Sequence, residues 1–336
     1  MSAMMQPLTD DAKAILLLCS RFGKSDRPDA PRPLSLADYN RLADWMMNQN
    51  MQPADLLADA SGDVLAGAGN RIEPERIGKL LSRGAAMALA VEKWTHNGIW
   101  IVCRSDDAYP VRLKQHLKRS QAPPILFGVG DRELLFRGGL AVVGSRNVDA
   151  EGEAFTREIG EACARDGISI VSGGARGVDQ VAMLSCLNAG GSVIGVIADG
   201  VSKASVAGKY RQGIREKRLV LFSPYHPEAS FTVGNAMGRN KLIYAMADCA
   251  LVVNAEKEKG GSWTGATEEL KRPRPKPVFV RMEGDVPEGN RALTGLGARP
   301  FPKKPWDGHL KELLENAPPA GGKRLYNQGS LFGEMP

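Results

Sequence analysis

The sequence predicts an α/β fold: a doubly wound, mostly parallel sheet, with an N-terminal all-α module before it and a flexible tail after it. Three observations predict this. Six short, almost wholly apolar runs recur after residue 135, most of them separated by helix-length segments; parallel strands covered on both faces read this way. The stretch 1–96 carries helix signals and no strand-like run. After residue 285 the composition shifts to Gly, Pro and basic residues, which suits an extension and then a disordered tail.

The elements follow in order. "LTDDAKAILLLCSRF" has Thr9 as an N-cap and acids in the first turn. "DRPDAPRP" (26–33) breaks the chain, and "LSLADYNRLADWMM" restarts a helix with Ser35 and Asp38 at capping-box spacing. "PADLLADA" and "EPERIGKLLSRGAAMALAVEKW" complete a helical module over 1–96. "IWIVC" (99–103) is the first strand, and "DDAYPVRLKQHLKRSQAPPILFGVGD" adds a turn, a helix and a second strand. "LAVVG", "ISIVS", "SVIGVI", "LVLFS", "ALVVN" and "PVFVR" are the strands of the main sheet, so 97–285 forms one α/β domain. An extension with a short helix, "HLKELLENA", spans 286–317, and 318–336 is the tail.

Bulk properties narrow the function. Hydrophobic content of 43% and charged content of 24% are those of a folded globular protein. The formal net charge of +6 favours a polyanionic partner. Cys19, Cys103, Cys163, Cys186 and Cys249 form no CxxC pair, which argues against a disulfide framework or a zinc site and fits a reducing cytoplasm. No secretory leader or membrane-length apolar run is visible. The four histidines sit in no hydrolase or metalloprotease pattern. Asp179, Asp199, Glu268 and Glu269 are read as helix-cap or surface acids.

Chemistry concentrates in the loops after the strands, where open α/β sheets bind ligands. "VVGSRN" offers Gly144, Ser145 and Arg146; "SGGARGVD" offers Gly173, Gly174 and Arg176 before a helix starting near Asp179. Backbone N–H groups at such turns suit phosphate. The glycine spacing does not make a dinucleotide fingerprint, which excludes a hydride-transfer enzyme. "GRNK" (238–241) reads as the opening of another helix, bringing Arg239, Asn240 and Lys241 to a phosphate or base edge. "EKGGSWTGATEEL" adds Trp263, a candidate for stacking on a base.

Taken in order, these stretches resemble the DNA-processing protein A (DprA/Smf) family over about residues 96 to 282. The segment from "NGIWIVC" to "VGDREL" is similar to the family's D-x-x-YP and PP-x-L-F region. "VVGSRN", "VSGGARGVDQVAML", "GRNKLIYAMAD" and "GGSWTGATEEL" resemble its VGSR, SGxAxGID, RNR and SGSLxTA motifs. The chain departs in placing Met183 where the family has histidine and Lys241 where it has the second arginine. The resemblance implies an extended Rossmann-like fold and a cytoplasmic, non-enzymatic, dimeric single-stranded DNA-binding protein. It implies a part in DNA recombination or transformation beside a RecA-type recombinase, without cofactor or metal. It puts Gly144, Ser145, Arg146, Gly173, Gly174, Arg176, Arg239, Asn240 and Lys241 in the DNA pocket. A second reading is a nucleotide-binding enzyme or sensor, since "GGSWTGATEEL" is also similar to the LOG-type phosphoribohydrolase motif, with Glu268 or Glu269 as the acid. In the tail, "QGSLF" resembles the peptide by which bacterial repair proteins bind the sliding clamp, with Gln328, Leu331 and Phe332 as anchors.

Overall fold

A computed structural model describes residues 7–23, 31–58, 73–306 and 308–317. The chain divides into two compact units, Met1–Gly128 with Pro224–Ala229, and Val129–Ser223 with Ser230–Pro336.

The first unit is helical apart from one strand pair. The helix Asp10–Cys19 is capped by Thr9, whose Oγ1 accepts the Ala12 N–H at 3.1 Å. Leu36–Asn48 starts from the reciprocal bonds of Ser35 and Asp38 that the spacing predicts. Pro74–Leu81 and Gly84–His96 follow. Ile15, Leu16, Leu18, Leu42, Leu56, Ile77 and Trp94 are buried as its core. Strand β1 (Trp100–Cys103) pairs antiparallel with β2 (Ile125–Gly130), Trp100 opposite Gly128. His226 returns to this unit and sets its ring edge-on to Trp94 at 5.5 Å.

The second unit is built on β3 (Leu140–Val143), β4 (Ile170–Ser172), β5 (Val193–Val196), β6 (Leu219–Ser223), β7 (Cys249–Val252), β8 (Val278–Val280) and β9 (Arg299–Pro300). They lie in the order β6-β5-β4-β3-β7-β8-β9, and their pairings are parallel. From β3 to β8 every strand residue is buried, which is why these segments read as continuous apolar runs. The chain winds outward from β3 to β6, then returns to the far side of β3 with β7. That reversal leaves a crevice beyond the carboxyl ends of β3 and β7, where doubly wound sheets place ligands.

Two expectations need correction here. The helix expected to open at residue 238 begins at Val233, because the Thr232 Oγ1 accepts the Asn235 N–H and caps it there; Arg239, Asn240 and Lys241 stand in its middle. The stretch 286–317 is more than an extension with one short helix. It holds the helix Glu288–Gly295, the edge strand β9 and the helix Leu310–Glu315. Phe301 and Trp306 pack edge-on against Phe155, and Phe301 also against Phe279, with ring centroids 5.7–6.0 Å apart. The tail, with Gln328, Leu331 and Phe332, lies outside the described residues. Among those residues no helix is long and apolar enough to cross a membrane.

Candidate functional site

The crevice holds a cavity of about 350 Å³, and four segments build it. The first leaves β3. Gly144 passes so close to the start of the helix that follows β4 that a Cβ would meet the Val178 side chain at 2.5 Å. Ser145 fixes the turn, its Oγ accepting the Asn147 N–H at 3.0 Å. Arg146 emerges from this turn exposed, with its guanidinium carbon 4.9 Å from the centroid of the Phe231 ring. That is a cation–π distance.

The second segment leaves β4. Gly174 and Gly177 take φ of +68° and +86°, a left-handed backbone that favours glycine. Gly173 has no room for a side chain, because Arg239 and Asp179 occupy the space a Cβ would need. Asp179 is only 7% exposed, in the first turn of the helix Val178–Asn188. Its carboxylate accepts the N–H groups of Ala175, Gly173 and Gly144 and faces Arg239. Burial pushes its pKa up to about 6, against the pull of Arg239 and those three donors. The glycine loop's donors, expected to meet a phosphate, therefore already serve an internal anion. Asp179 is no surface acid: it ties the turns after β3 and β4 together.

The third segment is the helix Val233–Met246. Arg239 is 4% exposed and donates to the Val196 carbonyl. It touches the cavity while acting mainly as the counter-charge to Asp179. Asn240 also lines the cavity, and its Nδ2 donates to the Gly261 carbonyl at 3.2 Å. The fourth segment leaves β7 and enters the helix Gly260–Leu270, which starts without a side-chain cap. Gly260, Gly261 and Ser262 bring that start to the cavity wall, beside the Lys259–Glu256 pair at 2.9 Å. Behind the wall, buried Asn290 locks the loop. Its Nδ2 donates to Val253 and Arg281 carbonyls at 3.0 Å each, and its Oδ1 accepts the Ala255 N–H at 3.0 Å.

Of the residues expected at the site, Gly144, Ser145, Arg146, Arg239 and Asn240 line the cavity, and Gly173 lies directly behind Arg239. Gly174, Arg176, Lys241 and Trp263 do not line it. Arg176 is exposed and donates to Asn147 Oδ1 at 2.5 Å. Lys241 is half-buried beside Glu268 and Arg272, and burial lowers its pKa despite Glu268. Trp263 is half-buried inside its helix. Sequence reasoning missed Phe231, which is 45% exposed beside the cavity-lining Arg146. An aromatic next to a helix cap carries no periodic signal, so only its neighbour Arg146 could have pointed to it. The nucleotide-hydrolase reading loses its acid. Neither Glu268 nor Glu269 lines the cavity, and Glu269 is buried, accepting the Lys276 N–H at 2.7 Å and pairing with Arg272 at 3.0 Å.

Comparison with known proteins gives the family and the fold. The family model for DNA recombination-mediator protein A matches residues 100–303. The DNA processing protein DprA of Bacillus subtilis is 31% identical over 183 residues, which is 54% of this chain and 60% of the relative. Protein Smf of Escherichia coli is 30% identical over 162 residues, 48% of this chain and 42% of the relative. The match thus spans between two fifths and three fifths of these relatives. Among solved structures, DNA processing protein A from Streptococcus pneumoniae superposes with a TM-score of 0.65 at 21% identity, covering 93% of this chain and 99% of that one. The Helicobacter pylori protein, whose structure concerns a single-stranded DNA binding mode, gives 0.52 at 23% identity over 65% of this chain and 97% of that one. Both show a shared fold.

Proposed function

The chain belongs to the DNA recombination-mediator protein A family, and from that premise we propose that it is a DNA-processing protein that binds single-stranded DNA at the cavity beyond β3 and β7, without a catalytic step. The observation that carries this reading is Arg146, on the cavity wall, set over the exposed ring of Phe231. A guanidinium holds a phosphate by a two-pronged contact, and an exposed ring beside it offers a face for a base. Single strands, with their bases unstacked, can use both. The uncapped start of the helix Gly260–Leu270 supplies further donors for the phosphate. Arg239 and Asp179 hold the floor, and Asn240 joins two walls.

The same reading makes Gly173 and Gly174 loop-shaping residues rather than ligand-touching ones. It gives Arg176, Lys241 and Trp263 no place in the cavity itself. It also carries what the family resemblance implies: a RecA-type recombinase that takes over the strand, a second copy of the chain, and cytoplasmic action in recombination or transformation. The clamp-binding role of Gln328, Leu331 and Phe332 is a separate proposal resting on the "QGSLF" peptide alone.

The test is a titration with single-stranded and duplex oligonucleotides of equal length at two salt concentrations. The expected outcome is preference for the single strand and affinity that falls steeply with salt. Arg146→Ala weakens binding about tenfold to a hundredfold, the scale of removing one charge-assisted hydrogen bond. Phe231→Ala loses a comparable amount if one base stacks there, at about 1–3 kcal/mol per base. Wild-type affinity in Arg146→Ala refutes the site.

A further inference from the structure

The chain's positive excess is not spread evenly. Between residues 201 and 218, over the helices Val201–Ser205 and Gly208–Arg215 and the turn into β6, stand Lys203, Lys209, Arg211, Arg215, Lys217 and Arg218. One carboxylate accompanies them, Glu216, and it is taken by Arg218 and by Gln212 at 2.9 Å. The other five cations are exposed, and none stands within ion-pair distance of a described carboxylate. Other surface helices behave differently: Lys13 pairs with Asp10, Arg41 with Asp38 and Arg157 with Glu153.

This arrangement opposes the helix's own stability. Arg211 and Arg215 are four residues apart, where like charges repel across one turn and cost about 0.2–0.5 kcal/mol. Arg215 recovers part of this from the carboxyl-terminal dipole. The inward face leaves no freedom to rotate the cations away. Tyr210 and Gly213 are buried, and a Cβ on Gly213 would stand 3.0 Å from Leu187.

The patch adjoins the glycine loop after β4. The Tyr210 hydroxyl lies beside Gly174, 3.5 Å from where a Cβ would be, and Arg176 is on that same loop. Arg176 in turn holds Asn147, the neighbour of Arg146. Arg146 and Arg176 thus stand on the linked loops after β3 and β4, and the helix that carries Lys209 and Arg211 packs on the second loop through Tyr210.

We propose that the helix Gly208–Arg215 and its flanks form a second, sequence-independent binding surface for the phosphodiester backbone, reached by way of Arg176, which carries a single strand onward from the cavity. The proposal rests on the cavity being a single-stranded DNA site. It gives Arg176 a role outside the cavity and explains why the cations remain unpaired: their counter-charges come with the ligand.

The experiment uses the full chain with Lys209, Arg211, Arg215 and Lys217 all changed to Gln. All four are exposed, so thermal unfolding should match the wild type and serves as the folding control. Affinity is measured for single strands of about six and about twenty-five nucleotides, and for a duplex of the longer length. The wild type should bind the longer strand more tightly and with the steeper salt dependence. In the variant, the short strand should bind as before, and the long strand should fall to the affinity of the short one. The salt slope for the long strand should drop by about 0.7 for each phosphate no longer neutralised. Wild-type affinity and slope for the long strand in the variant would overturn the proposal, while Arg146→Ala still weakening the short strand would leave the cavity reading intact. Equal losses for the long strand and the duplex would also overturn it, marking a general polyanion patch. Failure of the wild type to bind either strand would reject the cavity reading itself.

Discussion

Asp179 and Arg239 are where single residues decide most. The pair lies on the floor of the cavity, with the carboxylate holding three backbone donors and the guanidinium facing it. The folded pKa of Asp179, about 6, is above its unfolded value near 3.8. The folded state therefore keeps a proton that the unfolded chain has already lost, and this group's contribution to stability falls as pH rises from about 4 to about 6. Tyr210 and Asp199 also face the neighbourhood, as do the Lys259–Glu256 pair and Arg146 across the cavity. Protonation removes the negative charge of Asp179 from beside Arg239 and makes the cavity more positive. Oligonucleotide affinity should accordingly rise as pH is lowered from about 7.5 toward about 5, and Asp179→Asn should flatten that rise. An unchanged profile in the variant would show that another group titrates. The sequence marked Arg146 as a candidate from the glycine–serine–arginine turn after a strand, and the structure puts that residue on the cavity wall. It could not show that Asp179 reaches back to Gly144, because that contact crosses 35 residues.

At the scale of elements, the strands were legible and the start of one helix was not. Strands covered on both faces need no alternation, so "LAVVG" and "ALVVN" identify themselves wherever the chain puts them. The helix Val233–Met246 hides its first two turns, because Val233 is 72% exposed and Met237 is 38% exposed. No apolar stripe can be read until Arg239 turns inward. The cap at Thr232 is then the only local sign, and it is a short-range one. The wall after β7 depends instead on a buried amide. Asn290→Ala would leave the Ala255 N–H without its acceptor and the Val253 and Arg281 carbonyls short of a donor. The expected cost is about 2–3 kcal/mol in denaturant unfolding, the scale of buried polar groups left unsatisfied. Because the loop carries Asn254 and Glu256 to the cavity, oligonucleotide affinity should fall in the same variant.

Over the whole molecule, each unit has its own buried core, and the second closes on an aromatic cluster that the sequence did not announce. Phe301 and Trp306 come from a Pro- and Lys-rich stretch whose composition suggested an extension. They are 6% and 5% exposed, against Phe155 and Phe279. Trp306→Ala should destabilise the second unit by about 3–5 kcal/mol, the range for truncating a buried aromatic. A thermal midpoint within a degree of wild type would show that 286–317 is dispensable to that core.

By itself the sequence determined the strands, the glycine turns that follow them and the surplus of cations, because burial on both faces, left-handed turns and net charge are properties of short segments. Only the tertiary structure decided which of those cations reach the cavity, that the glycine donors belong to Asp179, and that the Phe231 ring stands against Arg146. Those outcomes depend on where a helix starts and which way it is rotated, and both are set by contacts between segments far apart in the chain.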